Sequence, residues 1–277
     1  VDMWMGEDGK AIVNHVPSLI VRAVPYDMPI VGQNTNLTNT LRLWSAEVAD
    51  DACDASSLNE YVNEVREICR NVYPDDSTEH GKILRLKQQY FFVAAGLNNI
   101  IESHMSTYHT LDNFAEKVAI QLNDTHPVLC IPELMRILMD DYKYDWDQAW
   151  NITKNTMAYT NHTVLSEALE KWPMDYLLDV VPHLVPIIEK LDEKIKAKYP
   201  QENVAIIDKN NLVHMAHMDI HYGFSINGVA ALHTEILKTS ELKAFYDIYP
   251  EKFNNKTNGI TFRRWLMHCN HPLTDYI

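Results

Sequence analysis

Apolar positions along this chain repeat with two periods, and the change from one to the other divides it. Residues 1–32 read as short strands broken by the Glu7-Asp8-Gly9 turn and by Pro17, Pro25 and Pro29, and residues 38–45 alternate as a further strand. From residue 58 a helical period takes over. Residues 58–72 and 82–104 are strongly periodic, the second setting Leu84, Leu86, Tyr90, Phe91, Val93 and Leu97 against basic and amide residues on its other faces. Further helices are expected over 128–141, 146–157, 174–181, 184–198, 227–239, 241–248 and 261–269. The sequence shows no internal repeat and no low-complexity linker.

At three places an apolar run stops at a group of small polar side chains, the position at which α/β enzymes build their sites. In residues 118–132 (VAIQLNDTHPVLCIP), Val118, Ala119, Ile120 and Leu122 form a β-rich run. Asn123-Asp124-Thr125-His126 follows, and Pro127 permits a helix to begin. This puts a carboxylate and an imidazole at a strand's carboxyl end. In residues 159–173 (YTNHTVLSEALEKWP), Asn161, His162 and Thr163 precede Val164, Leu165, Ala168 and Leu169, a helical spacing that sets Glu167 and Glu170 three apart. In residues 255–265 (NKTNGITFRRW), Asn258-Gly259 marks a turn, Thr261 suits an N-cap, and Arg263, Arg264 and Trp265 fall in the first helical turn.

Composition narrows the partners. A chain of 277 residues with 46% hydrophobic residues can bury a core, and its net charge of −14 argues against nucleic acid and against anionic membrane surfaces. An anionic substrate would need local cations, and Arg263 with Arg264 are the only such pair near one of the three motifs. Cys53, Cys69, Cys130 and Cys269 are far apart and show no CxxC spacing, which favours reduced thiols and a cytoplasmic location. No apolar run approaches the roughly 18 residues that span a bilayer, so a soluble protein is expected.

The three motifs, together with residues 24–32 (VPYDMPIVG), 39–45 (NTLRLWS), 73–90 and 227–238 (NGVAALHTEILK), resemble the glycogen (α-glucan) phosphorylase family, in its bacterial type, along nearly the whole chain. The resemblance implies a mixed α/β fold, the helix-rich part of a two-domain, doubly wound GT-B-like glycosyltransferase. Residues 1–257 would belong to the amino-terminal catalytic domain, strand-rich over 1–45 and helix-rich over 58–257, and residues 258–277 would begin the carboxyl-terminal domain. It also implies an enzyme that cleaves α-1,4-glucan ends with inorganic phosphate, uses pyridoxal 5'-phosphate (PLP), and forms a homodimer. The family's glycine-rich segment and its Schiff-base lysine have no counterpart here. Lys238, Lys243, Lys252 and Lys256 do not match the cofactor lysine's surroundings, so the chain is expected to be an internal segment, inactive by itself.

The same resemblance assigns roles. His162 matches the histidine that holds the glucosyl 6-hydroxyl, and Asn258 a second ligand of that hydroxyl. Asp124, His126 and Glu167 match groups on the glucan-acceptor side. Val229 and Ala230 match a loop whose backbone donates to glucose hydroxyls, and Trp265 an indole near the cofactor and substrate phosphates. Tyr73 and Ser77 fall in a mobile gate loop over the entrance (73–81), where Ser77 and Thr78 replace an asparagine and an aromatic residue of animal enzymes. Glu102 and Ser103 replace paired arginines of AMP-responsive forms, which speaks against nucleotide and phosphoserine control. On the residues alone, His162 also suits a structural histidine, Asn258 a plain turn, Asp124 an Asx-turn, His126 a loop histidine, Glu167 an exposed helix charge and Trp265 a core tryptophan. His214, His217 and His221 have a zinc-like recurrence, but zinc histidines normally come with additional acidic or thiolate ligands on a consistent face and 217–221 is expected to cross a loop, so no metal site is expected. Two other functions compete: a non-catalytic α-glucan-binding or assembly module, and a nucleotide-sugar glycogen synthase of related architecture.

Overall fold

A computed structural model describes residues 2–5, 11–14, 17, 19–32, 34–49 and 58–277. The turn expected at Glu7-Asp8-Gly9 and Cys53 lie outside them. The chain opens with two antiparallel pairs, β1 (Asp2–Met5) with β2 (Ala11–Asn14) and β3 (Val21–Val31) with β4 (Thr38–Val48). Pro25 and Pro29 do not break β3, contrary to the sequence expectation; they pair with Trp44 and Thr40 inside an unbroken register. The hairpin is two-stranded, so each strand has one partner, and a missing N–H is tolerated where it faces away from that partner.

Helix α1 (Leu58–Arg70) lays Tyr61, Val65 and Ile68 on the hairpin's Ala46 and on Phe91, forming a small separate core, and the Tyr61 hydroxyl donates to the Ile20 carbonyl at 2.7 Å. Helix α2 (Glu79–Tyr108) is longer than its apolar period indicates. Thr78 caps it by accepting from Gly81 N–H at 3.0 Å, and His109 closes it in the left-handed region.

The remainder alternates helix and strand: α3 (Phe114–Lys117), β5 (Ile120–Asn123), α4 (Cys130–Arg136), α5 (Trp146–Thr156), β6 (Met157–Thr160), β7 (Lys171–Pro173), α6 (Met174–Val180), α7 (Val185–Lys198), β8 (Leu212–His214), α8 (Met215–Tyr222), β9 (Ile226–Gly228), α9 (Ala231–Ile236), α10 (Lys243–Ile248), β10 (Phe253–Asn255) and α11 (His271–Tyr276). Strands β5, β6, β9 and β10 form one parallel sheet in that order, so the fold is mixed α/β built around a parallel sheet. Buried residues of α2, α4, α5, α6, α7 and α8 pack around it in one large core that includes Leu86, Leu97, Leu122, Leu134, Ile188 and Met218.

Three expectations need correction. Residues 159–173 do not continue as a helix; β6 ends at Thr160, and one 3-10 turn, Ser166–Ala168, precedes β7. Local side chains compete for the backbone there, since Asn161 Oδ1 accepts from Thr163 N–H and Thr163 Oγ1 from Leu165 N–H, both at 3.1 Å. Asn227-Gly228 ends β9 instead of opening a helix. The segment holding His217 and His221 is helical, part of α8, and not a loop. The helices expected over 128–141 and 227–239 run on into π-helical turns, Ile137–Asp141 and Leu237–Glu241, as does the terminal one over Arg263–His268. No described helix is long and apolar enough to cross a membrane.

Candidate functional site

All four parallel strands end at the same edge of the sheet, and their register aligns Asn123, Thr160, Asn227 and Asn254 in one polar row across it. The row is hydrogen-bonded laterally. Gln121 Nε2 donates to Thr160 Oγ1 at 2.7 Å, and Thr160 Oγ1 donates to Asn227 Oδ1 at 2.8 Å. Beyond it lie the segments that sequence reasoning singled out: Asp124 to His126 after β5, Asn161 to Thr163 after β6, Val229 and Ala230 after β9, and Asn258 three residues past β10.

Asp124 sits at φ 63°, a left-handed conformation that an aspartate tolerates when its side chain bonds locally, and its Oδ1 accepts from Thr125 N–H at 2.7 Å. Its own N–H donates to Thr160 O at 2.9 Å, tying the β5 loop to β6. Backbone strain of this kind concentrates at functional sites. His162 is exposed, with Nε2 2.5 Å from Asn123 Oδ1. Asn258 is exposed too, and its N–H donates to the Val229 carbonyl at 3.1 Å, which holds the segment after β10 against the loop after β9.

A second layer supports these groups. Glu170, mostly buried, accepts from Gln89 Nε2 of α2 at 2.6 Å and from Thr125 Oγ1 at 3.1 Å, and stands 3.6 Å from His126 Nδ1. Burial alone would raise its carboxyl, but His126, Gln89 and Thr125 outweigh that and hold it below the usual range. The same carboxylate raises the His126 imidazole against its desolvation. Beneath them Asp219 of α8 is fully buried, with neither oxygen hydrogen-bonded to a described residue. Burial pushes its carboxyl well above the carboxylate range, and the charges of Asp124 and Glu170 add to the shift.

His233 was not singled out from the sequence, yet it joins two of the loops. It accepts from Val229 N–H at Nδ1 (3.0 Å), and its Nε2 lies 3.1 Å from Asn161 Oδ1 and 3.0 Å from Thr163 O. Its place four residues after Val229, in the first turn of α9, was the available signal. Gly228 is needed beside it, because a Cβ there would lie 2.5 Å from Thr234 Oγ1.

The remaining candidates lie apart from this group. Tyr73 is 75% exposed under the Arg85 guanidinium, 5.3 Å away. Ser77 N–H donates to Asp75 Oδ1. Glu167 is exposed on its 3-10 turn, and Trp265 is 64% exposed. Among the described residues no hydrogen bond or ring contact ties Ser77, Glu167 or Trp265 to the strand ends. Thr261 opens the last helical turn through its carbonyl, which accepts from Arg264 and Trp265 N–H; the cap position falls on Phe262, with no side-chain cap.

The three recurring histidines, His214 at the end of β8 and His217 and His221 in α8, are otherwise engaged. His214 Nε2 is 2.9 Å from Asp208 Oδ2, and His217 Nδ1 is 2.6 Å from Ala205 O. His221 spans Tyr249 Oη and Val204 O. Desolvation pushes His217 down to about 3 and His221 down to about 4. Among the described residues no group of three potential metal ligands comes together. A hollow of about 1150 Å³ lies elsewhere, between the β3–β4 hairpin and α2, beside Trp44, Tyr90 and Asn98.

Comparison with known proteins identifies the architecture. The family model for carbohydrate phosphorylase matches residues 1–277. The chain belongs to the carbohydrate phosphorylase family. It is 54% identical over 279 residues to the maltodextrin phosphorylase of Streptococcus pneumoniae serotype 4, covering 99% of this chain and 36% of that relative. Against the glycogen phosphorylase of Bacillus subtilis it is 45% identical over 280 residues, covering 98% of this chain and 35% of the relative. Human brain-form glycogen phosphorylase is 44% identical over 291 residues, covering 96% of this chain and 34% of its own length. The chain thus spans about a third of these phosphorylases, and its parallel sheet is part of the GT-B-like phosphorylase fold.

Proposed function

We propose that this chain carries the sugar-binding wall of an α-1,4-glucan phosphorylase, which transfers the terminal glucosyl unit of glycogen or maltodextrin to inorganic phosphate and releases glucose 1-phosphate. The observation that carries the reading is the strand-end edge itself. Four parallel strands present amides, hydroxyls, imidazoles and backbone groups there, with few net charges, and such a surface suits a neutral polyhydroxylated chain. His162 has Nε2 committed to Asn123, which leaves Nδ1 for a sugar hydroxyl. The Asn258 side chain has no hydrogen-bond partner among the described residues and is available for a second contact.

In this reading His162 and Asn258 position the glucosyl unit, Val229 and Ala230 contribute backbone groups, and Asp124, His126 and Glu167 face the acceptor side, with Tyr73 and Ser77 at the entrance. The glycosidic C–O bond breaks, a C–O bond to phosphate forms, and the leaving glucan oxygen takes the proton that phosphate brings. Placement and dipoles are what this wall contributes. Glu170, held ionised and bound to three partners, is not a proton donor here.

PLP is the proposed cofactor of the complete enzyme, but the residues of this chain do not fit its attachment. Lys238 pairs with Glu235, Lys243 with Asp247, Lys252 donates to the Ile220 and His221 carbonyls, and Lys256 donates to Asn254. Trp265 is its proposed neighbour, as the family resemblance implies. A boundary between domains near Asn258 is part of the same reading, supported by the absence of any buried residue after 255. A cytoplasmic homodimer of bacterial type is also part of it. The test is an assay of the complete polypeptide, with PLP, for phosphate-dependent release of glucose 1-phosphate from maltodextrin. Release is expected. Glucan binding without release would favour a binding module, and turnover of UDP- or ADP-glucose a synthase.

A further inference from the structure

We propose that His233 is a positioning residue that sets the distance between the two loops bearing His162 and Val229; the inference rests on the phosphorylase reading above. The argument begins with the tautomer. Val229 N–H points at Nδ1 over 3.0 Å, so Nδ1 must be the unprotonated acceptor and Nε2 must carry the hydrogen. That hydrogen is shared between Asn161 Oδ1 at 3.1 Å and Thr163 O at 3.0 Å, the residues on either side of His162. One rigid, buried ring therefore spans from the main chain after β9 to the main chain after β6.

The next residue extends the link. Thr234 Oγ1 donates to Ala230 O at 2.9 Å and lies 3.2 Å from Asn255 Oδ1, at the end of β10, while Asn258 N–H returns to Val229 O. Three of the four strand-end loops are thus referenced to the first turn of α9. The links nearer the sheet, Thr160 Oγ1 to Asn227 Oδ1 at 2.8 Å and Asn161 N–H to Asn227 O at 2.9 Å, fix strands β6 and β9 to each other, not the loops beyond them. Without the imidazole, Val229 N–H loses its acceptor, and the backbone of residues 161–163 loses its tether to α9. His162 and Val229 would then no longer hold one sugar ring at fixed separation. Misplacement of about 1 Å at such a site costs on the order of 100-fold in rate.

The experiment uses the complete enzyme with His233→Phe, which keeps the ring and removes both nitrogens, and His233→Gln, which keeps a donor toward Asn161 and Thr163. Expected for His233→Phe is a fall in kcat of about 100-fold, with the KM for maltodextrin changed less than about threefold, because remote glucan contacts are untouched. His233→Gln should recover about tenfold of that loss. A kcat within threefold of wild type in folded His233→Phe overturns the proposal. So does an activity loss that tracks the unfolded fraction in thermal melts, or a Gln variant no better than Phe. Should His233→Phe not fold, His233→Gln against wild type reads the same kcat and KM split, and normal kcat again overturns it. Absence of turnover in the wild-type enzyme would instead sink the phosphorylase reading.

Discussion

His126 and Glu170 make a pair whose strength depends on pH in a determinate way. A carboxylate held below its ordinary value contributes stability above that value and loses it as pH falls through the folded one; a raised imidazole contributes below its ordinary value and loses it as pH rises through the folded one. Both contributions are present together from about pH 4.5 to about pH 6.5. Glu170→Gln is therefore expected to cost about 1–2 kcal/mol, most within that window and less above it, where only the Gln89 and Thr125 bonds persist; thermal melts across pH read this directly. Asp219 has the opposite sign. Its raised carboxyl keeps a proton in the folded state, so the native protein loses stability as pH rises above the ordinary aspartate value. Asp219→Asn should remove that dependence, so that its melting midpoint gains on wild type as pH rises. For the site itself, His162→Ala and Asn258→Ala in the complete enzyme should each lower kcat by two or more orders of magnitude with an unchanged melting midpoint; rates near normal would contradict their assignment to the sugar.

At the scale of elements, the helices with a clear apolar stripe were legible, and so was the strand that ends at Asn123. Pattern failed where side chains overrode it. Residues 159–173 have helical spacing, but Asn161 and Thr163 bond their own backbone. Prolines 25 and 29 look like breakers, yet they sit in a strand with a single partner. The short strands β9 and β10 run to three residues each and carry too little alternation to be seen. The candidate site was readable as separate strand-end segments, whereas the connector His233 and the buried Asp219 lie on other elements and become visible once the chain is folded. The start of α2 offers an element-level test. A Cβ at residue 81 would fall 1.8 Å from the Asp75 carbonyl, so Gly81→Ala must displace the loop over residues 73–78. It should destabilise more than Thr78→Ala, for which loss of the cap is expected to cost about 1 kcal/mol. Hydrogen exchange at residues 79–82 and the melting midpoint report both.

Across the whole molecule, charge and surface agree with the proposed neutral sugar ligand. The net charge of −14 disfavours anions in general, while the strand-end face offers hydrogen bonds without relying on cations. Past residue 255 no side chain is fully buried, and Ile260, Phe262, Trp265 and Tyr276 are largely exposed. The large hollow under the β3–β4 hairpin is the rival location for a ligand. The most direct measurement is a structure of the complete enzyme with a bound maltooligosaccharide. The expected result is a glucosyl ring within hydrogen-bonding distance of His162 Nδ1, the Asn258 amide and the Val229–Ala230 backbone, its chain running toward Asp124 and His126. A sugar bound beneath the hairpin, with the ends of β5, β6, β9 and β10 left bare, would contradict it.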